Sequence, residues 1–328
     1  MRIPRIKIPT CDSEAAYHCI SRTVNYDRLF DDTDKKAMRR ILWKVAAFCG
    51  VKIITYTILS SHFHILVRIP RKAPISDEEL LRRYQILHPS PQAVARLTTI
   101  AAWLRDGAPE GIAWRTRMLR LMGELSAFMK LFKQRVSIWF NRVHNRHGPL
   151  WSDRFKSLLC EPCGAPICAL ALYIDLNSIR AGLAQDPKDY RFSGYAEAVA
   201  GNPLAQCGIE DACSEFNWPD AQRMYRVLLF GKGSAPKMGK ASIDSTKFQE
   251  VLQQGGMLTI ASQLRCRIRY LTEGAILGSR AFVLSSLTSL LPAAEAARRT
   301  RIGTPPLPKL FDTDSLTLMK GVRDLALG

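Results

Sequence analysis

The sequence predicts an α+β protein, an antiparallel sheet with helices on one face, and three observations carry that reading. The first 70 residues run strand, helix, strand, strand. A further strand and helix follow after a long helical stretch. The chain has 328 residues, 47% of them hydrophobic, which is enough for a sizeable core.

"AAYHCISR" (15–22) reads as a buried strand. "NYDRLFDD" turns into a helix from Thr33 to Cys49, capped by Asp32 or Thr33 and stopped by Gly50. Its apolar residues Met38, Ile41, Leu42, Val45 and Phe48 recur at helical spacing. "VKIITYTIL" and "HFHILVRI" are rich in β-branched and aromatic residues and read as strands. This order is half of a ferredoxin-like (RRM-like) sandwich. Residues 72–112 hold short helical pieces between prolines and glycines, an insertion on the surface. A long helix is expected from Trp114 to Val143, then the strand "RFKSLLCE", then a helix from Ala165 to Ala181 ended by Gly182.

The texture changes near residue 200. Residues 1–200 form one unit, and 201–328 form a mainly helical C-terminal extension with a linker at 231–247 and a loose tail. In it "KFQEVLQQGG", "TIASQLRCRIRYLTEG" and "SRAFVLSSLTSLL" read as short helices. The segment "ASQLRCRIRYLTEGAILGSRAFV" is reminiscent of a helix-turn-helix, with accessory DNA binding or simple packing as its alternatives.

The charge is unusual. There are 47 Lys and Arg against 29 Asp and Glu, a formal net charge of +18. A chain this basic is drawn to polyanions, nucleic acid first, unless its surface is simply basic throughout. Nine cysteines, an odd number scattered along the chain, suit reduced thiols better than a disulfide framework. Cys160 and Cys163 form a CxxC with no second pair to complete a zinc site. The start is too polar for a signal peptide and no apolar run reaches the length of a membrane span. A soluble intracellular protein is expected.

"SSHFHILV" (60–67) places His62 and His64 on one face of a strand, with Phe63 on the other. Two readings stand open: a buried pair bonded to its neighbours, or two ligands of a divalent metal. Downstream, "LYIDLNSIRAGL" (172–183) puts Tyr173 and Asn177 four residues apart on one helix face. A phenol can be a nucleophile and an amide oxygen a hard ligand. From Trp114 to Lys156 there are ten Lys and Arg and two acids, interleaved with Phe128, Phe132, Trp139, Phe140 and Trp151. Phe128, Phe132 and Trp139 fall at core spacing. Arg135, Arg142, Arg146, Arg154 and Lys156 are candidate phosphate contacts, and Arg180 either touches DNA or caps its helix. His144 and His147 read as loop or phosphate contacts, and His18 and His88 as structural.

Four motifs taken together resemble the HUH single-tyrosine transposases of the insertion-sequence 200-like type, in particular the branch associated with repetitive extragenic palindromes. They are "YHCISRTVNYDRLF", "TILSSHFHILV", "HGPLWSDRFKS" and "YIDLNSIRAG", in the family's order from about residue 15 to about 200. Ser178 replaces the family's usual proline, and Ser60-Ser61 its usual Pro-Asn. The resemblance implies that His62 and His64 bind the metal, Mg²⁺ or Mn²⁺, with Asn177 as third ligand, and that Tyr173 is the nucleophile. It implies cleavage and strand transfer of single-stranded, hairpin-forming DNA through a 5′-phosphotyrosine. No small-molecule cofactor and no membrane are implied. The expected location is the bacterial cytoplasm, on the nucleoid when DNA-bound. Monomer and homodimer both stand, since some relatives supply the tyrosine helix in trans. Activity is expected to fall as the imidazoles protonate below about pH 6–6.5. The alternatives are a domesticated hairpin binder that does not cut, and a zinc hydrolase, which needs a carboxylate near the pair. Asp175, the nearby acid, faces away from Tyr173 by helical angle.

Overall fold

In the computed structural model, residues 8, 13–215, 217–233, 274–290 and 317–320 are described. Strand β1 (Ala15–Arg22) is buried at every residue but its last, the mark of a central strand. It pairs antiparallel with β3 (His62–Ile69) on one side and β4 (Lys156–Cys160) on the other. β2 (Lys52–Ile58) pairs antiparallel with β3. β5 (Gly274–Gly278) adds parallel to β4, and β6 (Thr317–Lys320) adds antiparallel to β5, giving the order β2-β3-β1-β4-β5-β6.

Helix α1 (Asp32–Cys49) begins one residue before the sequence reading. Its cap is Asp31, whose carboxylate accepts from the Asp34 amide at 2.8 Å, while the Asp34 carboxylate accepts from the Asp31 amide at 3.0 Å. Gly50, at φ 64°, ends it as expected. The insertion forms α2 (Asp77–Leu87), α3 (Pro91–Arg105) and α4 (Pro109–Leu119). The long helix expected from Trp114 to Val143 is two helices, α4 and α5 (Leu125–Val143). The break lies where Gly123 takes φ 59° and donates its N–H to Cys49 O at 2.8 Å. Such a left-handed turn suits glycine, and it folds the insertion back onto the end of α1.

The helix expected from Ala165 to Ala181 is α6 (Gly164–Asp175) followed by one turn, α7 (Asn177–Arg180), and Gly182 at φ 69° stops it. After it come α8 (Gly194–Val199), α9 (Pro203–Cys213), α10 (Trp218–Gly233) and α11 (Arg280–Leu290).

The expected α+β class and helical extension are present, β2, β3, β1 and β4 form the expected antiparallel sheet with β5 joining it in parallel, and the period-2 alternation of the strands splits the core into two layers. Phe63, Ile65 and Val67 face α1 and α5, burying Met38, Leu42, Phe128, Phe132 and Val136. Ala16, Ile54, Leu66 and Leu158 face α6, α9 and α10, burying Leu170, Ile174, Ile209 and Leu229. Helices therefore cover this second face too, and the extension's first helices share one apolar cluster with the tyrosine-bearing helix. α9 lies flat on β2, since a Cβ on Gly208 would sit 2.3 Å from Ile54 O. Between the two expected extension helices, "GAILG" is strand β5 rather than a helical turn, because it finds the edge of β4. "KFQEVLQQGG", residues 259–273 and most of the linker and tail lie outside the described residues. No helix among the described residues is long and apolar enough to cross a membrane.

Candidate active site

His62 and His64 emerge from β3 on the face that carries α6, while Phe63 packs on Phe132 and Trp151 on the other face. Directly paired residues share a face, so the His62–Arg22 and His64–Ile20–Lys156 rows carry Arg22 and Lys156 to the imidazole side. Tyr173, from α6, sets its ring edge-on to His64, with centroids 5.8 Å apart. The His62 and His64 rings are 5.2 Å apart. One chain therefore supplies both imidazoles and the phenol.

A fourth ring completes the cluster. His18, fully buried in β1, places Nε2 2.9 Å from His64 Nδ1 and stands edge-on to Tyr173 at 6.1 Å. His62 Nδ1 lies 3.0 Å from Ser61 Oγ. Both Nδ1 atoms are thus engaged, which leaves Nε2 as the atom of each imidazole that could ligate a metal. Burial, helped by Arg22, holds the His62 imidazole down at about 4. Burial, then His18, His62 and Arg22, hold His64 well below the ordinary range. The pair stays neutral, as metal ligands must be, and its protonation moves below the pH 6–6.5 expected from unperturbed histidine. Asn177 donates Nδ2 to the carbonyls of Tyr173 (2.9 Å) and Ile174 (3.2 Å), so Oδ1 is its atom with ligand character. Two neutral imidazoles and an amide oxygen fit a divalent cation. Among the described residues no group of three His, Cys, Asp or Glu forms a competing site.

The Tyr173 phenol is pushed up to about 12 by burial, with Asn177, Arg180 and Arg22 pulling the other way. Burial also lowers the Arg180 guanidinium, and its Nε is buried without a hydrogen-bond partner among the described residues. An unpaired donor beside a phenol is where an anionic group is held.

What fixes Tyr173 is the next turn of its helix. Asp175 is fully buried. It accepts from Thr55 Oγ1 at 2.9 and 3.0 Å, from Tyr225 Oη at 2.6 Å and from the Tyr195 amide at 3.3 Å. Thr57 Oγ1 donates to Ile174 O at 2.7 Å. The helix is pinned to β2, α8 and α10, and Asp175 is spent on that clamp, away from the imidazoles. Burial pushes its carboxyl up to about 7, against those three donors. The folded state therefore holds this proton more tightly than the unfolded chain, where the carboxyl titrates near 3.9. Its contribution is fully present below about pH 4 and is lost as the pH rises toward 7. Asp175→Asn is expected to flatten the pH dependence of the urea midpoint between those limits. Parallel profiles for the two proteins would remove Asp175 as its source.

The predicted DNA contacts divide. Arg180 stands at Tyr173, and Lys156 shares the imidazole face. Arg154 is exposed nearby in sequence, its amide bonded to Asp153 at 2.6 Å. Arg146 is half-buried, with Nη1 unpartnered among the described residues. Arg135 and Arg142 lie on α5, on the far side of the sheet. Of the aromatics, Phe128 and Phe132 are core, Trp139 is half-buried, and Trp151 packs beneath the site on Phe30 and Phe63. His144 is tied to Asp34 at 2.7 Å. Sequence reasoning missed the parts played by His18, Arg22 and Asp175. His18 carried a signal: it occupies the same strand parity as Ile20 and Arg22, and it is an imidazole in a strand otherwise fit for burial.

Fold and site together define a protein with a pair of neutral strand imidazoles facing a helix-borne tyrosine. Residues 11–78 match the family model described as "Transposase IS200 like", so the chain carries that family's pattern over this segment, which holds the first two of the four motifs, and there the resemblance is borne out. A solved structure of a REP-associated tyrosine transposase bound to a REP hairpin aligns with 62% of this chain and 90% of its own, at 14% identity and a TM-score of 0.35. No curated protein matches the chain.

Proposed function

We propose that this chain is a metal-dependent transesterase acting on single-stranded, hairpin-forming DNA of the repetitive extragenic palindrome type, and so a transposase by activity. Tyr173 Oη attacks a phosphodiester. The tyrosine–phosphorus bond forms as the bond to the 3′ oxygen breaks, leaving a 5′-phosphotyrosine and a free 3′-hydroxyl. The phenol loses a proton and the departing oxygen gains one, so the step consumes none overall. One phosphoester replaces another, so reversal with a different 3′-hydroxyl joins strands without ATP. The observation that carries this reading is the convergence, from one chain, of two neutral imidazoles, a phenol and a guanidinium whose Nε is unpartnered among the described residues.

Mg²⁺ or Mn²⁺ held by His62, His64 and Asn177 would supply positive charge to the phosphate oxygens. The residues do the rest. Arg180 and Arg22 favour the phenolate and hold the phosphate, and Lys156 extends the positive face along the strand. Asp175 keeps the helix in place.

A second reading, a hairpin binder that does not cut, draws on one observation: Tyr173 is 2% exposed and held protonated. Incubation with labelled single-stranded hairpins and Mn²⁺ or Mg²⁺ separates the two. A denaturation-resistant protein–DNA band, lost on chelation, is expected. Tight, salt-sensitive binding with no band under either metal would establish the binder instead.

A further inference from the structure

A groove of about 530 Å³ runs between α1 and α5 on the face of the sheet away from Tyr173, and four cations line it: Arg40, Lys44, Arg135 and Arg142. No acidic side chain lines it. From α5 the lining residues Leu131, Gln134, Arg135, Ile138, Trp139 and Arg142 form one helical stripe, beside the buried stripe of Phe128, Phe132 and Val136. Leu87 and Pro89, from the insertion, close one end.

A basic surface is commonly no more than a solvated one, and the neighbouring helices show what that looks like. In the insertion, Arg82 and Arg83 pair with Glu79, and Arg115 pairs with Asp77. In the groove, none of the four cations has a carboxylate partner among the described residues. Arg135 is half-buried, and its side-chain hydrogen bond among the described residues goes to His88 Nε2, at 3.3 Å. Arg40 and Lys44 stand one turn apart on α1, where like charges repel. Concentrating unpaired cations in a concave site is costly until an anion fills it. Ile138, 55% exposed, and half-buried Trp139 add an apolar surface beside them. The longer segments outside the described residues, 1–7, 234–273 and 291–316, each carry net positive charge, so they are a poor match for this groove.

We infer that this groove is a second DNA-binding site, which takes the phosphodiester backbone of a substrate segment remote from the bond that Tyr173 attacks. The inference rests on the reading of the chain as a DNA transesterase and extends it to the opposite face. A helix layer and the sheet separate the two sites, each about 10 Å thick, so DNA must run on for several nucleotides beyond the cleavage point to reach both. Recognition here is of phosphate spacing and charge, with no base readout needed.

The test uses the exposed pair Lys44→Ala/Arg142→Ala, with Arg96→Ala/Arg105→Ala on α3 as a control of equal charge loss. Binding of a long-stemmed hairpin and of a short single strand spanning only the cleavage point is measured by fluorescence anisotropy across a salt series. For the long hairpin, the groove variant should lower the slope of log affinity against log salt by about 1.8, roughly 0.9 for each phosphate that the variant no longer neutralises. The short strand should be bound as by the wild type. The α3 control should leave both unchanged. An unchanged slope in the groove variant, an equal loss on the short strand, or an equal loss in the control would each overturn the second site. Covalent adduct formation on the short strand is read in parallel. Its failure in the wild type counts against the transesterase, whereas the slopes alone decide the groove.

Discussion

Tyr173→Phe is expected to abolish the covalent protein–DNA adduct while leaving hairpin affinity within about twofold and stability within about 1 kcal/mol. The substitution removes one oxygen from a ring that is 2% exposed and packed edge-on to His64 and His18. The ring contacts persist, so a packing explanation of any loss is weak. What disappears is the phenolic hydroxyl beside the imidazole pair. The phenol's resting state sets a further condition. Burial holds it near 12, so attack requires the phosphate to bring Arg180 and Arg22 into play as the proton leaves. Arg180→Ala should therefore slow adduct formation more than it weakens binding. A metal-dependent adduct that survives in Tyr173→Phe would show that another residue is the nucleophile and sink the assignment.

The strands, the first helix and the chemistry-bearing pair were legible because their signals are local. The buried-strand texture of β1, the β-branched and aromatic runs of β2 and β3, the helical spacing in α1 and Gly50 at its end all act within a few residues. The His62-Phe63-His64 pattern states its own geometry once the strand is granted. Three things were not legible, each because it depends on residues far apart in sequence. The break at Gly123 is an ordinary helical glycine until its N–H meets Cys49 O. The Asp175 clamp needs Thr55, Tyr195 and Tyr225, from three separate elements, and nothing in "YIDLN" announces them. The candidate DNA contacts read as one basic run, yet the sheet parts them: Lys156 and Arg180 stand with Tyr173, and Arg135 and Arg142 line the far groove. Charge along a chain says which partner to expect, and only the fold says on which side it docks.

His18 shows how the same long-range dependence reaches into the site. A hydrogen bond between two neutral imidazoles needs one donor and one acceptor. If His18 Nε2 carries the proton, His64 Nδ1 accepts, and the His64 proton sits on Nε2, the atom that would bind a metal. If His64 Nδ1 carries it, His18 Nε2 accepts and His64 Nε2 presents a lone pair. Metal binding through His64 Nε2 would select the second arrangement, with His18 as the acceptor that holds it. His18→Leu removes the acceptor and frees the tautomer. It is expected to weaken Mn²⁺ binding by about 10- to 100-fold in calorimetry on the DNA-free protein. His18→Gln can place an amide oxygen near the lost Nε2 and should recover most of that affinity. Nitrogen NMR supplies a readout independent of activity: His64 should show a single Nδ1–H tautomer in the wild type and the Gln variant, and a mixture in the Leu variant. Equal metal affinity in all three would reduce His18 to a packing residue. Loss in the Leu and Gln variants alike, with the His64 tautomer unchanged, would make His18 itself a ligand.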